Sequence, residues 1–159
     1  HGDLGTSYFF KRPALEVILD KLLATLELVF AAALIIVVVS IPLGVYSAIR
    51  PRSILTKVIM AVSSIGISIP VFLTAIMLMY LFSIQLGWLP AYGRGETYNL
   101  LGWESGFFTW DGILHLVLPA VSLSSIMLPL FIRLVRSEML EQLSSEYVKF
   151  ARAKGLDNN

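Results

Sequence analysis

The chain has 159 residues, of which 57% are apolar and only 14% are charged, and its formal net charge is +1. In soluble domains roughly a quarter of the residues are charged, so this composition indicates a chain that faces lipid or other membrane helices. The near-neutral charge without a basic block gives no support to a nucleic-acid partner. The absence of cysteine excludes disulfides, thiolate metal sites and cysteine nucleophiles.

The two ends of the chain are both expected to be internal to a longer protein. The first residues, HGDLGTSYFFKRP, contain no apolar core of a signal peptide, and the chain stops just after a helical segment without a closing element. Residues 1–21 are predicted to form an outer, periplasmic segment. Within this segment, Pro13 opens a helix that is expected to lie along the membrane surface.

Three charge-free stretches are each long enough to cross a bilayer, which requires about 20 apolar residues. With their flanking residues, the predicted spans cover residues 22–49, 58–87 and 112–135. The second span contains Pro70, which predicts either a kink or a short helix followed by a span, because the residue before a proline avoids helical geometry. The sequence therefore predicts an all-α membrane protein with three transmembrane helices in this chain.

The distribution of basic residues predicts how these spans are oriented. Of the 12 lysines and arginines, three fall in the short loop 50–57, which contains no acidic residue. Basic residues accumulate on the cytoplasmic side of membrane proteins, so loop 50–57 and segment 136–159 are predicted to be cytoplasmic and loop 88–111 to lie outside. The side predicted to be cytoplasmic carries Arg50, Arg52, Lys57, Arg133, Arg136, Lys149, Arg152 and Lys154, and the opposite side carries Lys11, Arg12, Lys21 and Arg94.

The segment 136–159 has the pattern of an amphipathic helix. Met139, Leu143, Tyr147 and Phe150 recur at spacings of four, four and three, while charged residues occupy the other faces, and Gly155 is placed to end the helix. The apolar stripe requires a partner, which is either the membrane helices of this chain, the lipid surface or another protein. Periodicity alone does not decide among these three.

Several runs of the sequence resemble one family, the dipeptide, oligopeptide and nickel permeases of ABC importers. HLVLPAVSLSSIMLPLFIRLVRSEMLEQLSSEYVKFARAKGL, residues 115–156, is similar to that family's fourth membrane helix and coupling loop. GDLGTS at 2–7 resembles the segment before its second helix, and GISIPVFLTAIMLMYLFSIQLGWLPAYG at 66–93 resembles its third helix and outer loop. The resemblance covers essentially the whole chain in order. It implies a fragment of a six-helix permease, with one helix before the chain and two after it.

The resemblance also implies a coupling helix near 138–155 that contains the family's EAA motif. In the family this helix docks in a groove of the ATPase subunit and transmits closure of the nucleotide-binding domains to the membrane helices. Matching on Gly155 places Ala151 at the second alanine of the motif and Lys149 at its glutamate, which departs from the general pattern. Glu146, one helical turn upstream, is the candidate carboxylate. The residues predicted to couple to the ATPase are Glu146, Lys149, Ala151, Arg152 and Gly155.

The partners implied by the resemblance are a second permease subunit, two ABC ATPase subunits, an external solute-binding protein and a peptide substrate. The assembly would lie in the bacterial cytoplasmic (inner) membrane, with this chain as a multi-pass component. The sequence contains no GxxxxGK[ST] loop, so ATP is expected to be used by the partner ATPase subunits and no cofactor is expected in this chain. Its two histidines, His1 and His115, give no support to a metal site.

The small polar residues of the spans have two interpretations. They either permit close packing of membrane helices or line a polar path for the peptide. Glu27 is likewise either a residue of the path or a side chain near a helix end that reaches the lipid headgroups. The candidate path residues are Ser63, Ser64, Ser68, Ser122, Ser124 and Ser125.

Two other classes of function compete with an importer permease. A membrane scaffold or channel subunit would use its cytoplasmic helix to bind something other than an ATPase. An intramembrane protease would need a serine–histidine dyad or two aspartates within the membrane. The conceivable dyad here is Ser122 or Ser124 with His115, and neither serine is flanked by glycine as a serine nucleophile would be. No residue is therefore predicted to be catalytic.

Overall fold

The computed structural model of the chain describes residues 5, 11, 13–100 and 103–145. This part of the chain is mainly helical, which confirms the all-α fold class. A short antiparallel hairpin in the outer loop was not predicted, and it pairs Tyr98 with Ser105. The elements are α1 Ala14–Ile49, α2 Ile54–Ser68, α3 Val71–Leu78, a π-helix Met79–Gln85, β1 Tyr98–Leu100, β2 Trp103–Ser105 and α4 Trp110–Ser144.

Helix α1 begins directly after Pro13 and continues for 36 residues. At 1.5 Å per residue it is about 54 Å long, which exceeds the roughly 30 Å thickness of a bilayer's hydrocarbon core. Residues 14–21, predicted to lie along the membrane surface, form the first turns of this helix. Pro42 lies within α1 and does not end it.

Pro70 separates α2 from α3. The residue before it, Ile69, is extended with φ −90° and ψ 123°, as expected for a residue that precedes proline. At its other end, α2 is capped by Ser53, whose side chain accepts a hydrogen bond from the Leu55 amide.

Among the described residues, two helices, α1 and α4, are each long and apolar enough to cross a membrane. A third candidate span is formed when α2, α3 and the π-helix are taken together as one broken span.

Helix α4 runs from Trp110 to Ser144 although it contains Pro119 and Pro129. Membrane helices tolerate internal prolines where neighbouring groups satisfy the freed carbonyls. Residues 136–144, the first part of the predicted coupling segment, therefore continue the same helix as the predicted third span. The remainder of that segment, residues 146–159, lies outside the described residues.

The chain divides into two compact units. Unit 1 comprises His1–Leu34 and Phe72–Leu123, and unit 2 comprises Ile35–Val71 and Ser124–Asn159. Unit 1 therefore contains the outer loop and the predicted outer ends of the spans, whereas unit 2 contains loop 50–53 and the predicted cytoplasmic end of α4.

The distribution of buried and exposed side chains is that of a membrane protein. Large apolar side chains point outward, as in Phe30 at 64% exposure and Val62 at 62%. Lipid is as apolar as leucine, so burial of large side chains does not drive membrane helices together, and small residues let their backbones approach closely. Most of the buried side chains described in unit 2 fit this rule. Ser40, Ser47, Ala48, Thr56, Ser63 and Ser124 are small, whereas Ile59 and Ile132 are large.

Among the described glycines of unit 2, Gly44 leaves the least room for a side chain. A Cβ atom at this position would lie 2.7 Å from both Cβ and Cγ1 of Val135 and 3.0 Å from the carbonyl oxygen of Ile132. The absence of a side chain at Gly44 is therefore what allows α1 to contact α4 here.

Candidate functional site

Glu27 anchors the outer loop of unit 1 to α1. Its side chain is only 3% exposed. Its Oε2 accepts a hydrogen bond from the Gly106 amide at 3.4 Å and one from Arg94 Nη2 at 3.5 Å. Its Oε1 has no hydrogen-bond partner among the described residues. Because it is buried against the loop, Glu27 does not reach the lipid headgroups, which was one of the two roles considered for it.

A second set of contacts holds the same loop on the first turns of α4. Asp111 Oδ2 accepts a hydrogen bond from the Glu96 amide at 2.8 Å, and Thr109 Oγ1 donates to the Glu96 carbonyl oxygen. His115 Nδ1 donates to the carbonyl oxygen of Asp111 at 2.8 Å. Gly95 has φ +68°, and a Cβ there would lie 2.6 Å from His115 Nδ1, so a residue without a side chain is required. The loop is therefore fixed to both α1 and α4.

Two cavities of unit 1 meet at Glu27. One, of about 270 Å³, is lined in part by the polar side chains of Lys21, Glu27, Arg94 and His115. The other, of about 570 Å³, is almost wholly apolar and is also lined by Glu27. Its aromatic side chains include Phe30 and Phe107, whose rings make an edge-to-face contact with centroids 6.1 Å apart. A buried carboxylate thus lies at the junction of a cation-lined cavity and an apolar one.

The serines predicted to line a path are distributed differently in the structure. Ser63 and Ser125 line one cavity of unit 2, of about 320 Å³, whose other lining residues are apolar. Ser64 and Ser68 are exposed and do not line it, and the hydroxyl of Ser68 donates to the Ser64 carbonyl at 3.4 Å. The last two of the six candidate serines are buried. Ser124, in unit 2, is 2% exposed. Ser122, in unit 1, is 6% exposed, and its hydroxyl donates to the Leu118 carbonyl at 2.7 Å.

Two arginines of α4 contact α2 within unit 2. Arg133 Nη2 donates to Ser64 Oγ at 2.7 Å, and Arg136 Nη1 approaches Met60 Sδ at 3.4 Å. The Ser64 hydroxyl itself donates to the Met60 carbonyl at 2.9 Å. The part of α4 that leads into the coupling segment is thereby joined to α2 by polar contacts.

Sequence analysis did not find the pairing of Glu27 with Arg94, which joins residues 67 positions apart. The features of the sequence that could have indicated this pair were the single carboxylate of the first span, Glu27, and the single arginine of the outer loop, Arg94. The predicted coupling residues, Glu146, Lys149, Ala151, Arg152 and Gly155, lie outside the described residues. Within the described part of the chain, no group of three His, Cys, Asp or Glu side chains is arranged to hold a metal ion.

Comparison with known proteins assigns the chain to a family. A family model described as "binding-protein-dependent transport system inner membrane component" matches residues 40–159. The dipeptide transport system permease protein of Alkalihalophilus pseudofirmus is 34% identical, over 97% of this chain and 50% of the relative. The probable D,D-dipeptide transport system permease protein of Escherichia coli K12 is 38% identical, over 98% of this chain and 50% of the relative.

The oligopeptide transport system permease protein of Bacillus subtilis is 39% identical, over 99% of this chain and 48% of the relative. The chain thus spans about half the length of the curated relatives it matches. The family match covers most of the chain, including α2, α3 and all of α4. The chain belongs to the family of binding-protein-dependent transport system inner membrane components.

Proposed function

We propose that this chain forms part of the permease subunit of an ATP-driven ABC importer that carries di- or oligopeptides across the bacterial cytoplasmic membrane. The observation that carries this proposal is the family match over residues 40–159. The three relatives described above are named as permeases for dipeptides, D,D-dipeptides and oligopeptides, which supports peptides as the substrate class. The family is one of transport components, so this chain is not expected to act as an enzyme.

In this proposal the energy comes from partner subunits. Two ATPase subunits bind and hydrolyse ATP, a second permease subunit completes the membrane path, and an external solute-binding protein delivers the peptide. The coupling residues Glu146, Lys149, Ala151, Arg152 and Gly155 would contact the ATPase. Closure of the ATPase subunits would then be converted into alternating access of a central path.

Contacts in unit 2 suggest how movement of the coupling segment reaches the membrane helices. The segment begins within the last turns of α4, and α4 is joined to α2 through Arg133 with Ser64 and through Arg136 with Met60. A continuous helix transmits displacement along its length, and polar contacts pass it to a neighbouring helix. We therefore expect α2 and α4 to move together when the ATPase closes.

The proposal is tested by transport in proteoliposomes. The complete permease that contains this chain is reconstituted with its partner permease, the ATPase subunits and the solute-binding protein, and entry of a radiolabelled dipeptide is followed. We expect accumulation above the external concentration with ATP and none with a non-hydrolysable ATP analogue. Equilibration without ATP would instead identify a channel, and an assembled complex that transports no peptide would favour a scaffold.

A further inference from the structure

We infer that Glu27 binds the N-terminal ammonium group of a peptide in unit 1, with the first side chain of the peptide in the adjacent apolar cavity. The inference rests on the proposed function, because it assigns a substrate contact to a peptide permease. It begins from one observation: Glu27 is 3% exposed, yet its Oε1 has no hydrogen-bond partner among the described residues.

The hydrogen bonds of Glu27 leave the carboxylate incompletely satisfied. Its two described bonds, at 3.4 and 3.5 Å, both reach Oε2. Hydrogen bonds between an ionised group and a good partner are shorter, at about 2.7–2.9 Å. A buried carboxylate that lacks close partners is costly within a membrane protein, and such residues commonly belong to substrate pathways. A ligand ammonium, with three donors, would supply the missing bonds to Oε1.

The charges around Glu27 favour a zwitterion over a simple cation. Lys21 and Arg94 line the same polar cavity and carry positive charge. They would oppose the binding of an inorganic cation, and the described residues offer no cluster of three ligands for a metal. A short peptide carries both an ammonium and a carboxylate. Its ammonium complements Glu27, and its carboxylate complements Lys21 and Arg94.

The second cavity at Glu27 indicates which side chain would accompany the ammonium. It measures about 570 Å³, within the roughly 300–1,000 Å³ of typical ligand pockets, and includes Phe30, Phe107 and Phe108 in its lining. Because Glu27 borders this cavity as well, a group bonded to its carboxylate lies beside an apolar space. The site is therefore expected to prefer peptides with an apolar first residue.

The inference is tested by peptide binding to the complete permease–ATPase complex in nanodiscs, without the solute-binding protein. Tritiated Phe-Ala is the probe, and unlabelled Phe-Ala and N-acetyl-Phe-Ala are the competitors. Acetylation removes the ammonium charge, so we expect the acetylated peptide to bind the unaltered complex roughly 10- to 100-fold more weakly. In the Glu27→Gln complex, the ratio of the affinity for Phe-Ala to the affinity for N-acetyl-Phe-Ala should approach one. Glu96→Gln, which neutralises an exposed carboxylate of the same loop, should retain it.

Equal binding of the free and acetylated peptides by the unaltered complex would overturn the inference. So would a Glu27→Gln complex that loses affinity for both peptides in the same proportion, since that result identifies Glu27 as a loop anchor only. If Glu27→Gln does not assemble, Glu27→Asp replaces it and should lower the ratio, because its shortened side chain withdraws the carboxylate. An unchanged ratio in that variant contradicts the inference. ATP-driven uptake by the unaltered complex without any preference for the free amino group would refute this site and leave the proposed function intact.

Discussion

Replacing Ala151 by tryptophan is expected to lower ATP-driven peptide uptake by roughly 30- to 700-fold without reducing the amount of permease in the membrane. Under the proposed function, Ala151 enters a groove of the ATPase, where a small side chain permits close approach. Disruption of a hot-spot residue of an interface costs about 2–4 kcal/mol, and each 1.4 kcal/mol corresponds to a tenfold change in affinity. The measurement is initial uptake of labelled dipeptide by proteoliposomes, with ATP hydrolysis recorded in the same samples.

The matched control for this prediction is Leu134→Trp, which introduces the same side chain at a half-exposed position of α4 before the coupling segment. Uptake by this variant should stay within a few-fold of that of the unaltered complex. If Ala151→Trp transports at the unaltered rate, the small residue at 151 is not required for coupling. The assignment of the coupling segment would then be wrong.

Gly44→Leu is expected to destabilise the packing of α1 against α4 in unit 2. Any side chain at position 44 brings its Cβ to 2.7 Å from Val135 Cβ, well inside van der Waals contact. Overpacking of this kind costs about 1–3 kcal/mol, and leucine adds three further carbon atoms beyond the Cβ. We expect a lower midpoint of thermal unfolding for the complete permease in detergent and less assembled complex in membranes.

Two further variants make this second prediction specific. Val37→Leu adds bulk at a position of α1 that is 50% exposed, and it should leave the unfolding midpoint unchanged. Gly44→Ala should be less destabilising than Gly44→Leu. Adding Val135→Ala should recover part of the stability lost in Gly44→Ala, because Val135 Cγ1 is one of the three atoms that a Cβ at position 44 would contact. A fully stable Gly44→Leu permease would show that α1 and α4 do not approach as described.

The features that sequence analysis predicted well depend on local properties of the chain. Membrane insertion depends on the hydropathy of about 20 consecutive residues, so the apolar stretches that form α1 and α4 were visible without knowledge of their neighbours. Pro70 restricts its preceding residue through local sterics, and Ile69 is indeed extended where α2 gives way to α3. Both effects act within a few residues or within one helix.

The features that escaped prediction depend on contacts between distant segments. The approach of Arg94 to Glu27 exists only because the outer loop folds back on α1, and no periodicity encodes that return. The hairpin of β1 and β2 likewise lies in a loop without a strong strand pattern. The six serines illustrate the same limit: composition identified them as small and polar, but their packing decides that Ser63 lines a cavity while Ser64 accepts a hydrogen bond from Arg133.

The coupling residues have a different origin. They were assigned by resemblance to a family motif, matched at Gly155, and periodicity alone left three partners open for the amphipathic segment. The family membership of the chain is shown, whereas the contact of this segment with an ATPase stays a prediction. It is also the step on which the importer proposal depends, since it separates a coupled permease from a channel or scaffold.

The most direct test of this step is cross-linking in the complete transporter. Ala151→Cys is combined with single cysteines introduced along the groove of the co-expressed ATPase, in an otherwise cysteine-free background, and disulfide formation is compared with and without ATP. We expect a cross-link between Ala151→Cys and the groove whose yield changes when ATP binds. Absence of any cross-link from position 151, while the ATPase still assembles with the membrane complex, would contradict coupling through this segment and favour a channel or scaffold.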